Sequence, residues 1–147
     1  MTNLLQIVSV IAVIKNSAHK YLLVRRNIND DIFPGKWQNL GGKMEIGESV
    51  EQTLIREIYE EVGIKITSDT PVKYLHSYSW QKDSNDIYRL GLIFLVDIDN
   101  NKTKVKLSPE LMDYGWFDIE EIDALDTIGI DSPTGTRAQI KMAVKKS

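Results

Sequence analysis

The run Ile7-Val8-Ser9-Val10-Ile11-Ala12-Val13-Ile14 is apolar at odd and even positions alike and rich in β-branched residues. Strand side chains alternate between the two faces of a sheet, so such a run suits a central strand covered on both sides. It is also short: this stretch and the other long apolar run, Leu90 to Val96, fall well below the ~20 residues of a membrane-spanning helix. The start, Met1 to Gln6, lacks the basic and small-residue pattern of a secretory signal. The expectation is a cytoplasmic protein with no membrane partner.

The rest of the chain surrounds that strand with short elements. After a polar turn at Asn16 to Lys20, Tyr21 to Val24 reads as a returning strand closed by Arg25-Arg26, and Asn27 to Lys36 is loop by composition. Trp37 to Leu40 reads as a short strand running into Gly41-Gly42. From Ser49 to Val62 the period becomes helical, with Leu54, Ile55, Ile58 and Val62 in one apolar stripe. Ser49 with Gln52 has the form of a capping box, and Gly63 is placed as the stop. Val72 to Trp80 and Ile87 to Ile98 read as a hairpin across Gln81 to Asp86. Tyr114 to Phe117 then suits a strand, Ile119 to Leu125 a short helix and Thr136 to Lys145 a terminal helix. With no repeat or linker, the expectation is one domain over residues 1–147, of mixed α/β (α+β) class, with helices packed on a mixed sheet.

Composition narrows the chemistry. With no Cys and two His in 147 residues, thiolate metal sites, disulfides and cysteine nucleophiles are excluded, and imidazole-rich metal sites are disfavoured. Any metal should then be a hard cation on carboxylate oxygens. The net charge of −3 argues against a nucleic-acid polymer as partner but leaves room for a small anionic substrate. His19, in a turn, and His76, in a strand, are read as structural.

The helix itself carries the chemical signal. Glu57, Glu60 and Glu61 stand at i, i+3 and i+4, on one edge beside the apolar stripe. Like charges at this spacing destabilise a helix by some tenths of a kcal/mol per pair unless a cation lies between them. Upstream, Gly41-Gly42-Lys43 and Gly47 form a loop whose bare backbone admits close approach of a metal or phosphate.

Gly42, then Glu48 after five intervening residues, then after seven more Arg56-Glu57-Ile58-Tyr59-Glu60-Glu61-Val62-Gly63-Ile64 resemble a complete Nudix box, the signature of the Nudix hydrolases. All seven fixed residues and both aliphatic positions match over 23 residues. The order of elements from about residue 5 onward also resembles the family's α/β/α sandwich with a mixed β-sheet. The resemblance implies hydrolysis of a nucleoside diphosphate linked to another group, with Mg2+ or Mn2+ as cofactor. It implies that Glu57, Glu60 and Glu61, and the Gly41 carbonyl, ligate metal, that Arg56 orients a box glutamate, and that Glu48 supports the loop. The general base it implies is either a box glutamate or an acidic residue ahead of a Trp-aromatic strand, a place that Glu110 occupies before Trp116-Phe117.

Within the family, Gly35 to Lys43 looks most like the MutT-like triphosphatases that clear oxidised purine nucleotides, although Leu40 replaces the proline many members carry. The markers of ADP-ribose and dinucleoside-polyphosphate hydrolases are missing, with Ser79, Trp80 and Lys82 at those positions. The expected substrate is a small-molecule nucleotide, foremost a purine nucleoside triphosphate, oxidised or not. Alternatives are ADP-ribose, a nucleotide-sugar or a dinucleoside polyphosphate, and, in another class, a nucleotide sensor without turnover. Tyr78, Trp80 and Tyr88 are candidate stackers for a base, Gln38, Asn39 and Asp131 candidate readers of its edge, and Arg25, Arg26 and Lys43 candidate phosphate contacts. The chain is expected to be a monomer or homodimer.

Overall fold

A computed structural model describes residues 5–81, 83–99 and 104–147. The apolar run forms the middle of β1 (Gln6–Lys15), followed by β2 (Tyr21–Arg26), β3 (Trp37–Gln38), β4 (Leu40–Lys43), α1 (Val50–Val62), β5 (Val72–Trp80), β6 (Tyr88–Asp97), β7 (Leu111–Phe117), α2 (Ile119–Asp123) and α3 (Thr136–Lys146). The seven strands make one mixed sheet in the order β3-β2-β1-β6-β5, with β4 on β1 and β7 on β2. Along its whole length β1 lies parallel to β6, from Gln6 opposite Tyr88 to Lys15 opposite Asp97.

Alternation along the strands divides the interior into two cores. Val10, Ala12 and Ile14 of β1, Leu22 and Val24 of β2, and Phe94 and Val96 of β6 pack with Leu54, Ile58 and Val62 of α1. The intervening residues Val13, Leu23, Ile93 and Leu95 pack with Ile122 of α2 and with Ile140 and Ala143 of α3. A strand apolar on both faces is therefore buried on both, in a three-layer α/β/α sandwich. Among the described residues, no helix is long and apolar enough to cross a membrane.

Several boundaries differ from the sequence reading, each because a strand changes partner. β1 and β2 pair only at Ile14 with Leu22 and Lys15 with Tyr21; beyond that β4 takes over the same edge of β1. Trp37 to Leu40 is not one strand. Trp37 and Gln38 pair with β2, Leu40 onward pairs with β1, and Asn39 turns inward at the crossing to meet Gln139. β7 starts at Leu111 rather than Tyr114 because it follows β2 to its end, through a register shift at Arg25/Arg26.

α1 is held at both ends. Ser49 accepts from the Gln52 N–H at 3.1 Å while the Gln52 side chain accepts from the Ser49 N–H at 2.9 Å, completing the capping box. Gly63 closes the helix at φ 70°, and a side chain there would press on Lys106. Ile58 is fully buried at the centre of the α1 core. Ile58→Ala should cost about 2–5 kcal/mol, read as a lower urea midpoint, whereas Ile46→Ala, on a fully exposed side chain, should leave it unchanged.

Candidate active site

The glutamate-bearing edge of α1 faces β4, the strand that carries the glycine pair. β4 lies antiparallel on the middle of β1, with Gly41 opposite Ile11 and Gly42 opposite Val10. Each glycine has a distinct steric reason: a Cβ at Gly41 would strike the Val10 carbonyl oxygen, and one at Gly42 would strike the Glu57 carboxylate. Bare backbone thus lets the helix carboxylates lie against the strand.

Arg56 organises these carboxylates. Its Nε and Nη2 donate to both oxygens of Glu48 at 2.8 Å each, its Nη2 also to the Lys43 carbonyl at 2.9 Å, and its Nη1 to Glu57 at 2.7 Å and Glu60 at 3.3 Å. The five contacts match the five N–H donors of a guanidinium, including one bidentate fork. Glu48 accepts further from the Glu45 N–H and the Thr53 hydroxyl, and the Arg56 fork above all holds its carboxyl down to about 2. These carboxylates in turn push the Arg56 pKa further up.

Glu61 stands outside the reach of Arg56. Its Oε1 accepts the Gly41 N–H at 3.1 Å. Burial pushes its carboxyl up to about 8, against the Gly41 hydrogen bond and the more distant Arg26 charge, with Glu57 and Glu60 adding to the rise. Burial likewise raises Glu57, with Arg56 opposing it. Both Glu60 and Glu61 also lie in the last turn of α1, the end of a helix that disfavours anions.

Among the described residues, no three acidic or imidazole side chains converge closely enough to enclose a metal ion as they stand; Glu57 and Glu60 are bonded to Arg56, and Glu61 to the Gly41 N–H. The donor chemistry nonetheless fits a hard divalent cation: carboxylate oxygens alone, with a buried one lacking positive charge beside it. Glu57, Glu60, Glu61 and the Gly41 carbonyl are the groups that could hold one.

Next to this cluster opens a cavity of about 690 Å³, with Gly41, Gly42 and Lys43 at the cluster end. Of the sequence candidates, Arg26, Gln38, Asn39, Lys43, Tyr78 and Trp80 line it. Tyr88 and Asp131 do not line it; both are exposed, Asp131 in the turn before α3. His19 and His76 are likewise exposed and away from the cavity. Arg26 is bonded to its own loop, from Nε to the Ile32 carbonyl at 2.7 Å, from Nη2 to Asp30 at 2.8 Å and from Nη1 to Gln38 at 3.3 Å. Arg25 similarly holds the Gly35 carbonyl at 2.8 Å. Glu110 is exposed, on a loop fastened to α1 where the Ser108 N–H donates to the Glu61 carbonyl at 2.8 Å. Lys82 lies outside the described residues.

The sequence reading missed Ile32, Phe33, Arg89 and Gln139, which also line the cavity. Arg89 packs over the Trp80 ring, 5.3 Å from its centroid. The one available signal was Gln139, a polar residue on the buried face of α3 beside Thr136, Ile140 and Ala143.

A family model describing the NUDIX domain matches residues 5–137. The chain is 31% identical over 128 residues to nucleoside triphosphatase NudI of Escherichia coli O139:H28, covering 83% of this chain and 86% of that protein. Among solved structures, the MutT protein of Methanosarcina mazei Go1 matches with a TM-score of 0.74 at 25% identity, over 100% of this chain and 99% of that one. The E. coli dihydroneopterin triphosphate pyrophosphohydrolase shares the fold, with a TM-score of 0.73 at 21% identity over 95% and 96% of the chains. The chain belongs to the Nudix family and is a Nudix hydrolase, an enzyme acting on small nucleotide substrates. Nudix hydrolases generally use divalent metal ions.

The Glu61 carboxyl carries a signed consequence for the metal-free protein. Between its ordinary 4.5 and about 8 the folded chain keeps this proton and the unfolded chain has released it, so rising pH favours unfolding. Stability should therefore fall from about pH 4.5 to pH 8 in the presence of a chelator. Glu61→Gln, which cannot ionise, should flatten that slope in urea titrations; an unchanged slope would place the proton elsewhere.

Proposed function

We propose that the protein hydrolyses a nucleoside triphosphate, foremost a purine nucleotide in normal or oxidised form, to the monophosphate and pyrophosphate. The cofactor in this reading is Mg2+ or Mn2+, held by Glu57, Glu60, Glu61 and the Gly41 carbonyl. The observation that carries it is the carboxylate cluster, half-buried at Glu57 and Glu61 and exposed at Glu60, abutting through Gly41, Gly42 and Lys43 a cavity whose walls hold Tyr78 and Trp80. Similarity to a nucleoside triphosphatase and to a MutT protein supports the same substrate class.

When bound, the cation offsets negative charge developing on the phosphoryl oxygens and acidifies water. The chain's own groups do the positioning. Arg56, fixed by the bidentate Glu48 fork, sets where Glu57 and Glu60 stand, and the Gly41 N–H sets Glu61. Lys43, exposed at the cluster end of the cavity, meets the polyphosphate. Tyr78 and Trp80 supply the surface on which a base stacks, with Gln38 and Asn39 along its edge. The proton of the attacking water goes to a carboxylate oxygen, of a box glutamate or of Glu110.

Pyrophosphate release from nucleoside triphosphates in Mg2+ or Mn2+ is the expected outcome of assays that also include ADP-ribose, nucleotide-sugars and dinucleoside polyphosphates. Turnover confined to those diphosphate conjugates, or nucleotide binding without any product, would overturn the proposal. Glu61→Gln should lower kcat by about 10²-fold or more. A similar loss in Glu110→Gln would make Glu110 the base or a ligand, whereas near-normal turnover would leave that role to the box.

A further inference from the structure

In the wall of the cavity runs a buried chain of amides whose direction is set by a backbone carbonyl. Gln139 Nε2 donates to the Thr134 carbonyl oxygen at 2.8 Å. A carbonyl oxygen only accepts, so the Gln139 amide has one orientation, with Oε1 on its other side. That oxygen takes an N–H from Asn39 Nδ2 at 2.8 Å, which orients Asn39 in turn. Asn39 Oδ1 is left with no hydrogen-bond partner among the described residues, although Asn39 is only 5% exposed and lines the cavity together with Gln139. A buried acceptor without a donor is costly and calls for an explanation.

We propose that Asn39 Oδ1 accepts a hydrogen bond from an N–H on the substrate base, and that Gln139 is the positioning residue that holds it in the accepting orientation. The inference rests on the nucleotide substrate of the proposed function and specifies the base edge it takes. At ~3.3 Å per residue the four steps from Asn39 to Lys43 span at most roughly 13 Å, so a nucleotide with phosphates at Lys43 reaches Asn39 with its base. The Tyr78 ring borders the same cavity, and Gly91 leaves it room, since a Cβ there would meet the ring at 2.6 Å. A face to stack on and an edge to bond are thus available together.

The relay also rejects. A base presenting only acceptors at this edge leaves Oδ1 desolvated and unpaired. Turning the Asn39 amide to offer its N–H would break the bond to Gln139 and set two carbonyl oxygens against each other. Discrimination should therefore depend on Gln139, which is one residue removed from the bonded atom.

Two nucleotide pairs isolate the N–H: adenosine against purine riboside, and cytidine against pyrimidin-2-one riboside, where the exocyclic amine is the base's only N–H donor. Calorimetry with the monophosphates reads binding without turnover, and kcat/KM on the triphosphates reads it in catalysis. In the wild-type protein, the amine-free member of the better-bound pair should bind at least about tenfold more weakly, through KM rather than kcat. In Gln139→Leu and Asn39→Ala the penalty should shrink below about threefold. Equal Kd values in the wild type, or a full penalty retained in Gln139→Leu, would overturn the inference. A penalty in monophosphate binding without triphosphate hydrolysis would support the relay and overturn the triphosphatase reading, and hydrolysis without a penalty would do the reverse. If none of these nucleotides is bound or hydrolysed, the inference falls, and the triphosphatase reading stands or falls on the guanine and oxidised triphosphates.

Discussion

The guanidinium of Arg56 is the interaction on which the arrangement of this site depends. Four glutamates of the box crowd the segment from Glu48 to Glu61, and two of them occupy the helix end that repels anions. Arg56 satisfies three of the four with all five of its N–H groups, and it ties the helix to the glycine loop through the Lys43 carbonyl. The fourth, Glu61, has only a backbone N–H and keeps its proton up to about pH 8. Positive charge is therefore short at one defined point, beside an all-oxygen donor set, and a hard divalent cation is the species that meets both conditions.

The sandwich explains why the cluster sits beside a cavity. β4 docks on the middle of β1, which brings Gly42 against the Glu57 carboxylate of α1, while Gln38 and Asn39, two to three residues before Gly41, line the cavity. The strand switch at Asn39 thereby separates a charged end from a polar, aromatic-walled end within one short segment. Arg26 and Arg25, bonded to the 27–36 loop, hold Ile32 and Phe33 at the rim of the same cavity.

What could be read from the sequence was local. The helix from Ser49 to Gly63, its capping box and the i, i+3, i+4 glutamates depend on neighbours within one turn, and the doubly apolar β1 announced a covered central strand. The partner of β1 could not be read, since its parallel pairing with β6 joins residues some eighty positions apart. The division of Trp37–Lys43 into two strands follows from pairing with β2 and then β1, and the Asn39 amide at the break meets Gln139, a hundred residues away. Arg26, read as a phosphate contact, lines the cavity and is ion-paired with Asp30 four residues on, a partner that only the loop's folding reveals. Asp131, read as a base-edge candidate from its place before the last helix, is exposed in a turn there.

The planar, five-donor guanidinium of Arg56 fixes where Glu48, Glu57 and Glu60 stand, and the proposed metal binding depends on that placement, which Arg56→Lys probes. Lysine keeps the charge but cannot bridge Glu48, Glu57, Glu60 and the Lys43 carbonyl at once. With the far-ultraviolet circular dichroism of the wild type retained, a Mn2+ titration should show affinity reduced by about 10- to 100-fold, accompanied by a loss of turnover. Mn2+ affinity and turnover within about twofold of wild type would show that charge alone suffices at this position and that the guanidinium fork is dispensable.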